Sequence, residues 1–318
     1  MTPRLTFQLI VNRRRILLGE RTLIMGVLNV TPDSFSDGGR YLSADRAIEH
    51  GVEMARQGAD WIDVGGESTK PGSRPIAAPE ELHRVLPVIW GLRKKLGPLP
   101  ISIDTTKAEV AEEAVRAGAS IINDISGLRF DPRLAEVART HRTPLILTHL
   151  RGRPETMQQM PFARSIWRAL YDSLKRSIRR ALARGVHRSQ LIIDPGMGFG
   201  KSRRQNFEIL AHLERLQRFR LLILMATSRK SFVQAVVAGE RLQPSRSGKR
   251  QASHWPLTGG LGGGLAPPCW SPQAAPLLLG DAAAVAASIL GGAHIVRVHD
   301  VAAILPAVQI ADAILAAS

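Results

Sequence analysis

Cysteine is nearly absent: Cys269 is alone in 318 residues, so no intrachain disulfide can form, and the chain fits a reducing cytoplasm. Aromatic residues are scarce at 5%, too few for a base-stacking platform. No apolar run approaches the ~20 residues of a membrane span. The apolar piece from Leu5 to Val11 is followed by Arg13-Arg14-Arg15, and basic residues after the apolar stretch are the wrong order for a secretory signal. Acidic residues are also few, 27 against 43 Lys and Arg, which leaves a net charge of +16.

That excess raises the question of a nucleic-acid partner. The basic residues are scattered over Arg13 to Arg15, over the helical stretch holding Arg168, Lys175, Arg176, Arg179, Arg180 and Arg184, and over 241–279. No nucleic-acid module accompanies them, so they read as solvated helix faces, and neither a specific nucleic acid nor a membrane is expected as partner. An anionic substrate would gain from the field.

What the chain does have is a series of apolar strands that end in chemistry. Met25 to Val30 runs into Thr31-Pro32-Asp33-Ser34-Phe35-Ser36-Asp37-Gly38-Gly39, with Asn29 at the junction. Trp61-Ile62-Asp63-Val64 leads to Gly65-Gly66-Glu67-Ser68-Thr69-Lys70-Pro71; Ile101-Ser102-Ile103 ends at Asp104, and Ile121-Ile122 at Asn123-Asp124. Pro144 to Leu147 precedes Thr148-His149, Leu191-Ile192-Ile193 precedes Asp194-Pro195-Gly196-Met197-Gly198-Phe199-Gly200-Lys201, Leu221 to Ala226 precedes Thr227-Ser228-Arg229-Lys230, and Ile295-Val296 carries Arg297-Val298-His299-Asp300. Helix-period stretches lie between them, near 44–58, 79–95, 107–117, 132–140, 163–185, 203–215, 228–239 and 281–291, with 300–316 closing the chain. Eight β-α units in one chain predict an α/β fold, a single-domain (β/α)8 TIM barrel over 1–318, whose polar strand ends meet at the C-terminal mouth. An open doubly wound sheet shares the order, but eight strands without a second domain favour closure.

Arg241 to Leu279 interrupts the pattern. It holds Gly259-Gly260-Leu261-Gly262-Gly263-Gly264, Pro267-Pro268 and no acidic residue, and is expected to be a flexible basic loop inserted between the seventh and eighth barrel strands. Helices at 228–239 and 281–291 would make it climb from the base of the barrel to the mouth. Gly196 to Ser202 approaches a P-loop but fails, because Pro195 occupies the position of the first glycine.

Taken in order, Leu28 to Gly39, Gly65-Gly66-Glu67-Ser68-Thr69, Ile122-Asn123-Asp124-Ile125-Ser126-Gly127, Asp194 to Lys201, Ser228-Arg229-Lys230-Ser231-Phe232 and Arg297-Val298-His299-Asp300 resemble the dihydropteroate synthases of the pterin-binding barrel family. The resemblance covers nearly the whole chain. It implies transfer of a dihydropterinylmethyl group from the diphosphate ester of 6-hydroxymethyl-7,8-dihydropterin to 4-aminobenzoate, with Mg²⁺ as cofactor and a homodimer as assembly. Asp194, Asn123 and Asp104, at three strand ends, suit the amide and amino edge of a pterin, with Lys230 donating to its carbonyl. Arg297 and His299 suit the diphosphate, and Asn29 matches the family's magnesium position. Phe35, Thr69, Pro71 and Phe199 are implied for the aminobenzoate pocket, with Ser228 at the start of the seventh-unit helix taking the carboxylate. Lys70, Thr148, Arg153 and Asp281 depart from the family pattern. Folate-binding methyltransferases of the same barrel family lack the Ser-Arg-Lys-Ser-Phe and Arg-x-His-Asp pair, and a non-catalytic basic pterin-binding paralogue would be set apart by turnover.

Overall fold

The computed structural model of the chain describes residues 4–31, 40–159, 162–240, 242 and 275–318. Eight strands close a parallel barrel: β3 (Leu23–Asn29), β4 (Trp61–Gly65), β5 (Ile101–Asp104), β6 (Ile121–Asp124), β7 (Leu145–Thr148), β8 (Leu191–Asp194), β9 (Leu222–Met225) and β10 (Ile295–Val298), with β10 pairing back onto β3. These segments are short, rich in Ile, Leu and Val and buried on both faces, as a strand between a barrel core and an outer helical layer must be. The outer layer is α1 (Arg40–Arg56), α2 (Ala78–Leu96), α3 (Ala108–Ala117), α4 (Leu134–His141), α5 (Ile166–Ala183), α6 (Arg203–Ala211), α7 (Ser231–Val237), α8 (Ala275–Leu290) and α9 (Val301–Ala316).

Alternation along each strand separates the barrel interior into two chemistries. Trp61, Ile121, Ile146, Ile192 and Ile295 share one buried apolar cluster inside the barrel. Two residues further along the same strands stand Asp63, Asn123, Thr148, Asp194 and Arg297, on the same face because side chains repeat with period two. The lower interior is therefore dry and the upper interior polar. Register sets Asn29 beside Gly65, Gly65 beside Asp104 and Asp104 beside Asn123 across four neighbouring strands.

Two strands precede the barrel. β1 (Phe7–Val11) and β2 (Arg14–Leu18) form an antiparallel hairpin that puts Leu9, Val11 and Leu18 into the interior cluster with Trp61, Ile192 and Leu222, closing the base of the barrel. Arg4 clamps it there, donating to the Gly19 and Ala293 carbonyls and to Thr22 and Asp312, and His294 meets the Leu5 carbonyl at 2.9 Å. The sequence reading placed only an apolar piece here. The connecting residues are Asn12 and Arg13, both with positive φ (50° and 61°), a turn that Arg does not advertise.

Around the seventh unit the structure also departs from expectation. α7 spans Ser231–Val237 and so runs only ~10 Å at ~1.5 Å per residue. A Cβ on Gly280 of α8 would lie 2.6 Å from Val237 and 3.0 Å from Val233, so the end of α7 already packs against the first turns of α8. A climb over the full barrel height is not needed. α8 begins at Ala275, with Pro276 in its first turn, so 275–279 belong to the helix. Apart from Leu242 and those residues, the inserted segment lies outside the described residues.

Leu9→Ala should cost about 2–5 kcal/mol in urea unfolding, because it opens a cavity in the closed base. The mouth is at the opposite end, so substrate KM should stay within about twofold; a marginal stability loss would show that the hairpin does not plug the barrel.

Candidate active site

At the C-terminal mouth a narrow cleft is lined by Thr69, Asp104, Asn123, Thr148, Asp194, Gly196, Met197, Phe199, Lys230 and Arg297, which come from the ends of seven barrel strands or the loops that follow them. Arg297 organises its floor. Its Nε donates to Asp63 at 2.6 Å and its Nη2 to Asp104 at 2.9 Å, while Asn123 Nδ2 donates to the same Asp63 oxygen at 3.1 Å. Asp63 is wholly buried, and its other oxygen has no partner among the described residues. Sequence reading passed over Asp63 as a strand residue; the signal was a lone carboxylate inside an apolar strand, which cannot be buried without a cation.

Five charged groups share this volume. Asp63, Asp104 and Asp194 face Arg297 and Lys230, formally three negative charges against two positive. Burial pushes Asp104 up to about 8, against the pull of Arg297 and with the push of Asp63. Burial also raises Asp194, although the Gly196 N–H donates to it at 2.6 Å. Lys230 is lowered to about 8, first by burial and then by Arg297. Its ammonium stands 4.4 Å over the Phe199 ring. The Arg297 guanidinium is held above its ordinary value by Asp63 and Asp104 despite its burial.

The loop after β8 turns on Gly196, whose φ of 65° would strain any side chain and whose Cβ would meet the His149 carbonyl at 2.2 Å. Lys201, buried, donates to the carbonyls of His149, Gly196 and Phe199 at 3.1, 2.6 and 3.1 Å. The P-loop-like lysine therefore points into the backbone of its own loop and fixes the Phe199 end of the cleft. Burial lowers its pKa well below the ordinary lysine value.

The structure brings Thr69, Asp104, Asn123, Asp194, Phe199, Lys230 and Arg297 into one cleft. His299 lies just past the end of β10, half-buried, with Nδ1 3.2 Å from the Ser228 hydroxyl. Asn29 ends β3; a Cβ on Gly65 would lie 3.8 Å from its Oδ1 and 3.8 Å from Asp104 Oδ2, so the glycine leaves those oxygens facing one gap. Among the described residues no cluster of three His, Cys, Asp or Glu can hold a metal ion. The carboxamide oxygen of Asn29 is of the donor type that a hard cation takes. Pro71 is exposed on the loop after β4, which is tied to the loop after β7 by the Gly72 N–H donating to Pro154 O at 2.9 Å. Phe35 lies outside the described residues.

Ser228 departs from expectation. The helix begins three residues later, at Ser231, with Lys230 as its N-cap. The Ser228 hydroxyl is buried, 3.2 Å from Asp281 Oδ2, and the same carboxylate takes the Arg229 N–H at 2.9 and 3.1 Å. The hydroxyl expected to meet a substrate carboxylate meets one from the chain itself, that of Asp281, a residue that departs from the family pattern.

A family model described as pterin binding enzyme matches residues 25–299. The dihydropteroate synthase of Bacillus subtilis is 40% identical over 296 residues, 93% of this chain and 90% of its own length. Among solved structures, Clostridium difficile dihydropteroate synthase, crystallised in the presence of pteroic acid, superposes with a TM-score of 0.77 at 39% identity, covering 93% of this chain and 98% of the other. The Xanthomonas albilineans dihydropteroate synthase with 4-aminobenzoic acid gives 0.80 at 35% identity, covering 98% and 99%.

The raised Asp104 and lowered Lys230 fix a sign for stability against pH. A carboxyl whose pKa rises from 3.8 to about 8 on folding penalises the folded state increasingly across that window, whereas a lysine lowered from 10.5 to about 8 relieves its penalty only above pH 8. The ligand-free protein should therefore gain more from Asp104→Asn at pH 8 than at pH 5, read as the difference in melting temperature between variant and wild type. An equal difference at both pH values would contradict the burial of this carboxyl.

Proposed function

The chain belongs to the pterin-binding enzyme family, and from that membership we propose that it catalyses the dihydropteroate synthase reaction, joining 4-aminobenzoate to 6-hydroxymethyl-7,8-dihydropterin diphosphate with release of diphosphate. The observation that carries this reading is the cleft itself: Asp194, Asn123, Asp104 and Lys230 converge at the bottom of a barrel mouth with Arg297 beside them. A flat heterocycle with adjacent N–H groups and a carbonyl meets carboxylate acceptors on one side and an ammonium donor on the other. Phe199 offers a ring face beneath Lys230.

In the reaction the methylene C–O bond breaks with its electron pair going to diphosphate, and the amine lone pair forms the new C–N bond, the amine then losing a proton. Charge builds on the leaving oxygens, so fixed cations do most of the work. Arg297, locked by Asp63 and Asp104, cannot swing to follow the substrate and so presents a preorganised donor edge. His299 stands beside it at the rim. When bound with the substrate, Mg²⁺ would neutralise phosphate oxygens, and Asn29 is the residue that would hold it. The amine needs placing more than deprotonating, a task for Thr69 and Phe199 in the cleft, with Phe35 and Pro71 proposed for the loops above it. With Ser228 committed to Asp281, the exposed Ser231 beside Lys230 is the hydroxyl that meets the aminobenzoate carboxylate.

A homodimer has physical support in α8 and α9, whose only charged residues are Asp281, which is buried, and Asp312, which is engaged by Arg4 and Thr22. The same side of the barrel exposes Leu279, Ile310 and Ile314, at 60%, 63% and 40%. We place the protein in the cytoplasm on its single cysteine; no helix among the described residues is long and apolar enough to cross a membrane.

A coupled assay of diphosphate release from the two substrates tests the activity, and absence of turnover with folded protein and Mg²⁺ would remove it. Asp194→Ala should abolish pterin diphosphate binding in calorimetry while the protein stays folded, since two or three charge-assisted bonds of ~1.5–3 kcal/mol each are lost. 4-Aminobenzoate alone should bind weakly, and diphosphate with Mg²⁺ should tighten it by ~1–3 kcal/mol; equal affinity with and without diphosphate would contradict that order. Ile310→Glu combined with Ile314→Glu should give a monomer in light scattering where the wild type gives a dimer.

A further inference from the structure

The buried Ser228 and Asp281 and the half-buried His299 form a chain of hydrogen bonds on the rim, which the reaction as described does not use. Asp281 comes from α8, Ser228 from the segment after β9, and His299 from the end of β10. The Ser228 oxygen lies 3.2 Å from Asp281 Oδ2, 3.2 Å from His299 Nδ1 and 3.3 Å from the His299 backbone nitrogen. A hydroxyl has one proton and two lone pairs. The backbone N–H can only donate, which uses one lone pair. A carboxylate can only accept, so the hydroxyl proton goes to Asp281. What remains for His299 Nδ1 is the second lone pair, and Nδ1 must carry a proton to use it.

We propose that Asp281 is a positioning residue for His299: acting through the Ser228 hydroxyl, its carboxylate holds the imidazole with the proton on Nδ1 and leaves Nε2 as the nitrogen that meets the diphosphate. This rests on the reading of His299 as a diphosphate residue. Asp281 is suited to the part because it is immobile: its side chain is buried, and the Arg229 N–H reaches both of its oxygens. Arg229 is in turn held by Asp300 through its guanidinium at 2.8–3.1 Å, and it adopts a φ of 56°, a left-handed conformation that these contacts sustain.

The charges around the chain explain why a fixed tautomer matters. His299 faces Arg297 on its own strand, Arg229 and Lys230 from the segment after β9, and Lys70 from the loop after β4, and together with burial these cations push it down to about 3. Asp281 faces Asp300 and Arg229, and burial raises it. In the ligand-free protein the imidazole is therefore neutral, and its single proton can sit on either nitrogen. With that proton on Nδ1, Nε2 accepts a hydrogen bond from a protonated phosphate oxygen, or takes up that proton as the anion offsets the surrounding cations. Without the Ser228–Asp281 relay the neutral ring can still donate from Nε2 to a phosphate oxygen, but the charged ring that pairs with the anion loses the acceptor of its Nδ1–H.

The tautomer is read directly from the long-range ¹H–¹⁵N couplings of histidine-labelled protein, His299 being assigned by the signal missing in His299→Gln. Wild type should show the Nδ1–H form, and both Asp281→Ala and Ser228→Ala should move His299 to the Nε2–H form. Ser228→Ala leaves the anchoring of Arg229 by Asp281 in place, so it tests the relay even where Asp281→Ala fails to fold. In calorimetry with inorganic diphosphate and Mg²⁺, both variants should bind about three- to tenfold more weakly, the worth of one hydrogen bond. A pterin without the diphosphate should bind as to wild type; general damage to the mouth would weaken both. An Nε2–H form in the wild type overturns the proposal. A switched tautomer with unchanged diphosphate affinity would keep the relay but remove His299 from the diphosphate site, and a protein that binds neither diphosphate nor pterin would remove the functional reading itself.

Discussion

A largely buried guanidinium is tolerable only if its donors are taken up by anions, and the mouth of this barrel is arranged around that requirement. Arg297 sits between Asp63 and Asp104, and Asp63 in turn receives Asn123. Removing Arg297 would leave Asp63 and Asp104 without the cation they share, a loss of about 3–5 kcal/mol. The constraint runs in both directions. The carboxylates make the arginine possible, and the arginine opposes the rise that burial imposes on Asp104. A site built in this way is stiff, and stiffness is what a reaction limited by electrostatics and placement needs.

The rest of the fold supplies the conditions for that cluster. Below it the apolar interior, closed by Leu9, Val11 and Leu18 of the hairpin, excludes water from the floor of the mouth. At the rim Arg297, Lys230, Arg229 and Lys70 all bear on His299. An anion entering the rim would relieve this repulsion.

Most of the site was legible from the strand ends because a barrel projects them to one place whatever lies between. Asp104, Asn123, Asp194, Lys230 and Arg297 needed no knowledge of packing, only of where strands stop. What escaped depended on facing and on turns. Asp63 was hidden because it lies one step below a strand end, where a carboxylate is informative only once its partner is known. The hairpin was hidden by Asn12-Arg13, a left-handed turn without the glycine that usually marks it. Pro276 read as a loop residue although proline is welcome in a first helical turn, and this moved the start of α8. Ser228 was misplaced because a hydroxyl near a helix start looks like an anion ligand until a neighbouring carboxylate, here Asp281, is seen to occupy it.

The central claim is that Asp63 serves the reaction by holding Arg297 and Asn123 in place, although it does not line the cleft. Asp63→Asn keeps the shape and removes the charge. Steady-state kinetics of this variant, with a melting curve to confirm folding, test the claim most directly. kcat/KM for the pterin diphosphate should fall by about a hundredfold or more, ~2.7 kcal/mol of transition-state stabilisation, in a protein that remains folded. A folded variant with the kcat/KM of the wild type would contradict it.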